Sequence, residues 1–158
     1  MEKAMFAAGC FWGVQAYFDR IKGVVSTTVG YSGGHTKYPT YEEVCTDRTG
    51  HAETLLIEFV PDVVPYSELL KHFFKMHDPT TLNQQGPDIG SQYRSAVFYF
   101  DERQKTWAEK MKDRYERSTG KRTATEITKA GPFYKAEDLH QKYFDKNGFV
   151  GCHIALPE

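Results

Sequence analysis

The residues with the clearest chemical potential stand together at Gly9-Cys10-Phe11-Trp12-Gly13. An apolar run, Ala4-Met5-Phe6-Ala7-Ala8, precedes this pentapeptide, and an amphipathic stretch, Val14 to Ile21, follows it. That order reads as strand, glycine turn and helix, with Cys10 at or just before the first helical turn. Unpaired N–H groups and the positive end of the helix dipole favour an anion there, and so thiolate over thiol. Phe11 and Trp12 are placed either to wall an apolar pocket beside the sulfur or to fill the core. The remaining cysteines, Cys45 and Cys152, are far away in sequence, and no Cys-x-x-Cys occurs. Neither a zinc ribbon nor a thioredoxin-type dithiol is therefore offered. His72 and His77 are spaced off a common helix face, which disfavours a metal site. No G-x-x-x-x-G-K-[ST] or G-x-G-x-x-G phosphate loop is present.

The elements that must position Cys10 can be read from hydrophobic period. The strand and helix at about 3–8 and 12–21 lead to an apolar stretch, Val24 to Val29, and then to a Gly/Tyr-rich loop from Gly30 to Pro39. Residues 41–45 suit a short helical turn. From Glu53 to Val60 the pattern alternates, with Leu55, Ile57 and Phe59 on one face, as in a strand. A helix follows Pro65 with Leu69, Leu70, Phe73 and Phe74 as its core face. Residues 78–93, rich in Pro, Gly and amides, read as a long polar loop of the kind that often carries function. Ser95–Phe100 suits a buried strand, and a helix carrying Trp107, Met111 and Tyr115 ends at Gly120. Thr123–Thr128 is β-branched enough for a strand. A last short helix is expected around Ala136–Phe144, and the tail Gly148–Glu158 reads as irregular. Interleaved strands and helices without room for repeated parallel crossovers point to an α+β fold with helices over a mixed sheet.

Composition narrows the class. At 158 residues the chain is long enough for one domain with a core that needs no disulfide staples. A net charge of −1, with both signs interspersed, argues against nucleic acid or an anionic membrane as the main partner. No targeting segment or apolar run of transmembrane length is visible, so a cytoplasmic protein is expected.

The pentapeptide closely resembles the active-site signature of the peptide methionine sulfoxide reductase A family. Further blocks are similar to that family in the same order: Tyr38-Pro39-Thr40-Tyr41-Glu42-Glu43-Val44-Cys45, Gly50-His51-Ala52-Glu53, His77-Asp78-Pro79-Thr80-Thr81, Asn83 through Ser95, and Glu137-Asp138-Leu139-His140-Gln141-Lys142-Tyr143. The likeness runs from about residue 4 to Cys152. It implies a ferredoxin-like α/β plait with a long irregular C-terminal segment, and one domain over 1–158. It also implies thiol-dependent reduction of methionine-S-sulfoxide, free and in proteins, with Cys10 as nucleophile and Glu53 as general acid. Tyr41 and Tyr93 would donate hydrogen bonds to the sulfoxide oxygen, with Asp88 in support. Phe11 and Trp12 would grip the methyl group. His51 would either brace Glu53 or hold its loop. Cys152 would resolve the sulfenic acid left on Cys10, although Asn147-Gly148-Phe149-Val150-Gly151-Cys152 departs from the family's Asn-Pro-x-Gly-Tyr-Cys. Cys45 is expected to be inert. No bound cofactor is implied; thioredoxin, or a dithiol such as DTT, would be the reductant, and a monomer is expected.

The chemistry explains these residue types. Reducing a sulfoxide needs a soft nucleophile for sulfur and an acid that makes the oxygen a leaving group. A glutamate can be that acid at pH 7 only where apolar surroundings keep it protonated. Its titration and that of Cys10 should then be coupled. Two other classes share some of these residues: a cysteine peroxidase or redox sensor, which would prefer a cation beside its thiolate, and a non-catalytic binding module, which would need neither Cys10 nor Glu53.

Overall fold

The computed structural model describes residues 1–148; Cys152 lies outside the described residues. Strand β1 (Glu2–Ala8) is central because its sequence is apolar on both faces. Ala4, Phe6 and Ala8 enter one core cluster, while Met5 and Ala7 enter a second cluster on the opposite face. The continuous run Ala4–Ala8 is therefore that of a strand buried on both sides, where alternation is lost.

Around it assemble β2 (Val24–Ser32), β3 (Ala52–Phe59), the two-residue pair β4 (Gln84–Gln85) and β5 (Asp88–Ile89), β6 (Ser95–Tyr99), β7 (Glu126–Lys129) and β8 (Phe133–Lys135). The main sheet has the order β7-β6-β1-β3-β2-β8. The pairs β6–β1, β1–β3, β3–β2 and β2–β8 are antiparallel, and β6–β7 is parallel. The protein is thus a mixed α+β fold, with a mixed sheet covered by helices.

Helices α1 (Phe11–Asp19), α3 (Tyr66–Met76) and α4 (Glu102–Thr119) share the cluster that holds Phe6, Leu55, Ile57 and Phe59. Phe6 is its centre, with ring centroids 5.7 Å from Phe18, 6.0 Å from Tyr66 and 5.0 Å from Phe73. Short helix α2 (Tyr41–Cys45) is fixed by a capping box. Glu43 N donates to Thr40 Oγ1 at 3.2 Å and Thr40 N to Glu43 Oε1 at 2.9 Å, which satisfies two donors that a helix start leaves free. The last helix, α5 (Tyr143–Asn147), follows a 3-10 turn, Asp138–His140. Among the described residues no helix is long and apolar enough to cross a membrane.

Several elements differ from the sequence reading. Strand β2 continues through Gly30, Tyr31 and Ser32, where the Gly/Tyr-rich loop was expected to begin. Residues 133–135 form an edge strand, β8, and the single helix expected at 136–144 is replaced by a 3-10 turn and α5. Strand β7 lies at 126–129 in place of 123–128. For β2, β7 and β8, cross-strand partners distant in sequence, which local pattern cannot reveal, set the boundary.

Candidate active site

The turn into α1 requires glycine. Gly9 has φ +97°, and a Cβ there would stand 2.8 Å from Cγ of Gln85. Gln85 is itself locked to the backbone of Asp78, accepting from Asp78 N and donating to Asp78 O, each at 2.7 Å. Cys10 is the N-cap of α1 and is half-buried. The N–H groups of Trp12 and Gly13 face its sulfur and lower its pKa, as expected of a helix start. They are outweighed. Burial first, and then the Glu53 carboxyl, push the Cys10 thiol up to about 12. At rest Cys10 is a neutral thiol, contrary to the expectation that the helix start favours thiolate.

Glu53 explains this. Strand period puts it on the same face as Leu55, Ile57 and Phe59, so it points into the core beneath α1. It pairs across the sheet with fully buried Tyr31 and is itself only 1% exposed. Its Oε1 accepts the N–H of Phe11 at 3.1 Å, one of the donors left free at the start of α1. Its Oε2 is buried and has no hydrogen-bond partner among the described residues. Burial raises its pKa to about 8; the Phe11 N–H opposes that shift and the charge of Asp88 adds to it. At pH 7 the side chain is mostly a carboxylic acid with a proton that no group among the described residues accepts.

The two phenols come from separate short elements. Tyr41 opens α2, and Tyr93 ends the 3-10 turn Ser91–Tyr93 within the polar loop. Both have raised pKa values, through burial first and then the Glu53 carboxyl, so both hydroxyls keep their protons at neutral pH. Tyr41 also hydrogen-bonds to the thiol of Cys45, which is exposed. Asp88, in β5, is half-buried and raises the pKa of Cys10, Glu53 and Tyr93 alike.

The aromatic residues divide. Phe11 is buried, its ring centroid 5.7 Å from Tyr31, 6.4 Å from Tyr41 and 5.4 Å from His140. Trp12 is half-buried; it stacks on Tyr143 at 3.8 Å and donates from Nε1 to His140 Nδ1 at 3.0 Å. His51 uses both ring nitrogens on the neighbouring loop, accepting from Gly34 N at 3.0 Å and donating to Thr36 O at 2.7 Å. Gly34 is necessary there, since a Cβ would stand 2.4 Å from His51 N.

Several residues at this site carried no functional role in the sequence reading. Glu137 accepts from the Tyr31 hydroxyl and from Tyr41 N, both at 3.1 Å. His140 packs its ring 4.4 Å from Tyr41. Their stretch is held on α1 and β2 by Lys142, whose Nζ pairs with Asp19 Oδ2 at 2.6 Å, and by Gln141, which bonds both N and O of Val29. The available signal was the clustering of Glu137, His140 and Tyr143 in a stretch without apolar period.

A glycine-turn cysteine over a protonated buried glutamate, with two phenols beside it, defines a thiol-based oxidoreductase site. Residues 2–158 match the family described as peptide methionine sulfoxide reductase. The chain is 55% identical over 152 residues to a peptide methionine sulfoxide reductase of Methanosarcina mazei, covering 95% of this chain and 72% of that protein. Mxr1 of Saccharomyces cerevisiae in reduced form superposes with a TM-score of 0.92 at 35% identity, covering 99% of this chain and 92% of that one. Mxr1 in complex with Trx2 gives a TM-score of 0.67 at 26% identity, with 99% and 90% covered. The chain belongs to the peptide methionine sulfoxide reductase family, and it is an oxidoreductase of that family.

Proposed function

We propose that the protein reduces methionine-S-sulfoxide, free and in proteins, and that an acid-first step starts the reaction. The observation that carries this reading is the carboxyl of Glu53: buried, protonated at neutral pH, and with its Oε2 unpartnered among the described residues. A sulfoxide oxygen delivered there would accept that proton, which makes the substrate sulfur electrophilic. Tyr41 and Tyr93 hold the oxygen as neutral donors. Asp88 supports them by keeping Glu53 protonated. Phe11 and Trp12 present apolar surface to the methyl group, and His51 ties the loop between β2 and α2 to the start of β3.

The atoms balance without an outside group. Cys10 receives the oxygen and becomes a sulfenic acid, methionine leaves, and the thiol's proton restores Glu53 to its acid form. The thiol of Cys152 then condenses with the sulfenic acid, forming a disulfide and releasing water. Thioredoxin, or DTT in vitro, reduces that disulfide. The likeness to Mxr1 in complex with Trx2 supports the choice of reductant. No bound cofactor enters the cycle. We place the protein in the cytoplasm as a monomer, one domain over 1–158. We read its central strands β6-β1-β3-β2, all antiparallel with α1 and α3 as crossovers, as a ferredoxin-like plait.

Supplying separated S and R epimers to the DTT-driven enzyme tests the substrate: turnover is expected on the S form alone, and equal rates on both would contradict the reading. Cys152→Ser should release one equivalent of methionine and then stall with thioredoxin. Normal thioredoxin recycling by that variant would remove Cys152 from the mechanism.

A further inference from the structure

Tyr41 and Tyr93 lie 52 residues apart in sequence on short elements that cannot fix their spacing alone. One side chain joins these elements. Asp47, two residues beyond α2, accepts through Oδ1 from Ser91 N at 3.0 Å and from Ser91 Oγ. Ser91 opens the 3-10 turn that ends at Tyr93, and Asp47 N closes the end of α2 on Val44 O at 3.1 Å. Asp47 has φ 63°, the left-handed conformation in which glycine ends a helix without strain. A glycine would serve the helix end better. What aspartate adds is the carboxylate that crosses to Ser91.

We propose that Asp47 is a positioning residue, whose bond to Ser91 sets the separation of the Tyr41 and Tyr93 hydroxyls at the sulfoxide oxygen. The proposal rests on the assignment of those two phenols as oxygen donors. Other links hold Tyr41 from its far side: Glu137 on its backbone and the capping box at Thr40. The Asp47–Ser91 link joins the end of α2 to the turn of Tyr93, which Arg94 Nη1 holds separately through Ser91 O at 3.0 Å. Loss of it should let the two hydroxyls drift relative to each other, and catalysis is sensitive to misplacement of that size.

The experiment compares Asp47→Gly, Asp47→Asn and Ser91→Ala in single-turnover reduction of methionine sulfoxide, together with thermal melts. Asp47→Gly relieves the left-handed strain, so its Tm should hold or rise while its rate falls about tenfold. The loss should lie in kcat, with KM changed less. Asp47→Asn keeps an acceptor oxygen and should recover most of the rate, and Ser91→Ala should fall between the two. In a Tyr41→Phe, Tyr93→Phe background, Asp47→Gly should cause no further loss. A wild-type rate for Asp47→Gly overturns the proposal, as does a tenfold loss that persists in that background. If the Tyr→Phe pair itself runs at the wild-type rate, the donor assignment fails and the proposal fails with it. If the pair is slow but Asp47→Gly is normal, only the Asp47 role is lost.

Discussion

Two buried polar side chains in this fold, Glu53 and His77, meet the core in opposite ways. His77, at the end of α3, donates from Nδ1 to Phe73 O at 2.6 Å, and its Nε2 accepts from Ser95 Oγ at 2.8 Å. Ser95 Oγ lies 2.8 Å from Thr125 Oγ1, so the network ties α3, β6 and the residues before β7 into a closed chain. Burial lowers the His77 pKa to about 4, and the ring is neutral at physiological pH. Glu53 is also mostly neutral there, yet one of its two oxygens has no partner among the described residues. Both groups have lost their charge to burial, but only one keeps an unused proton. A satisfied network stabilises and specifies the core, whereas an unsatisfied polar atom is destabilising unless a substrate completes it. The role proposed for Glu53 rests on that difference more than on burial or pKa shift, which the two residues share.

Substitutions should therefore have crossed effects. The largest loss is expected at the proposed nucleophile: Cys10→Ser should abolish methionine formation, and measurable turnover in that variant would remove the thiol from the mechanism. Glu53→Gln should slow the first step by about 10² to 10⁴, the range that general acid catalysis supplies. The same variant should be more stable than the parent. A glutamate raised from about 4.5 to about 8 holds its proton in the fold but loses it when unfolded. Stability thus falls as pH rises through that window, by roughly 3 kcal/mol at pH 7, and glutamine escapes the penalty. Denaturant titration at pH 7 checks the sign.

His77→Ala should show the reverse: a loss of about 2–4 kcal/mol from the cavity and orphaned partners, with the rate per folded molecule largely preserved. Its pH signature is opposite too. A histidine lowered from its ordinary 6.5 to about 4 makes the fold less stable as pH drops through that window, because the unfolded chain binds the proton first. Melts between pH 7 and 4 should show the wild-type losing more stability than a His77→Gln variant. The smallest effect is expected at Tyr41→Phe alone, about tenfold in rate, because Tyr93 still holds the oxygen.

The catalytic turn was largely legible in the sequence, because an apolar run, a glycine and an amphipathic stretch are local signals. Strand β3 was legible through Leu55, Ile57 and Phe59. Glu53 opens that alternating stretch, at a position where a carboxylate ordinarily marks solvent. The period of two, extended one step back, puts it on the core face. Tyr31 falls within the stretch that reads as a Gly/Tyr-rich loop; it is in β2, paired there with β8, a three-residue edge too short to show any period. The contacts of Glu137 with Tyr31 and Tyr41, and of His140 with Trp12, join residues about a hundred positions apart, beyond any local pattern. Cys45 reads as part of a packed block, yet only Val44 turns inward and Cys45 is exposed against the Tyr41 hydroxyl. The helix start at Cys10 was also legible, but its influence could not be weighed without knowing that an uncharged glutamate lies beneath it.

The central claim, that the proton on Glu53 governs the reactivity of Cys10, is tested most directly by single-turnover rates of the parent and Glu53→Gln from pH 6 to 10. The parent rate should fall as pH rises through about 8, where Glu53 gives up its proton. The glutamine variant should be slower throughout and lack that fall. A glutamine variant that keeps the same decline near pH 8, or approaches the parent rate at neutral pH, would contradict the account.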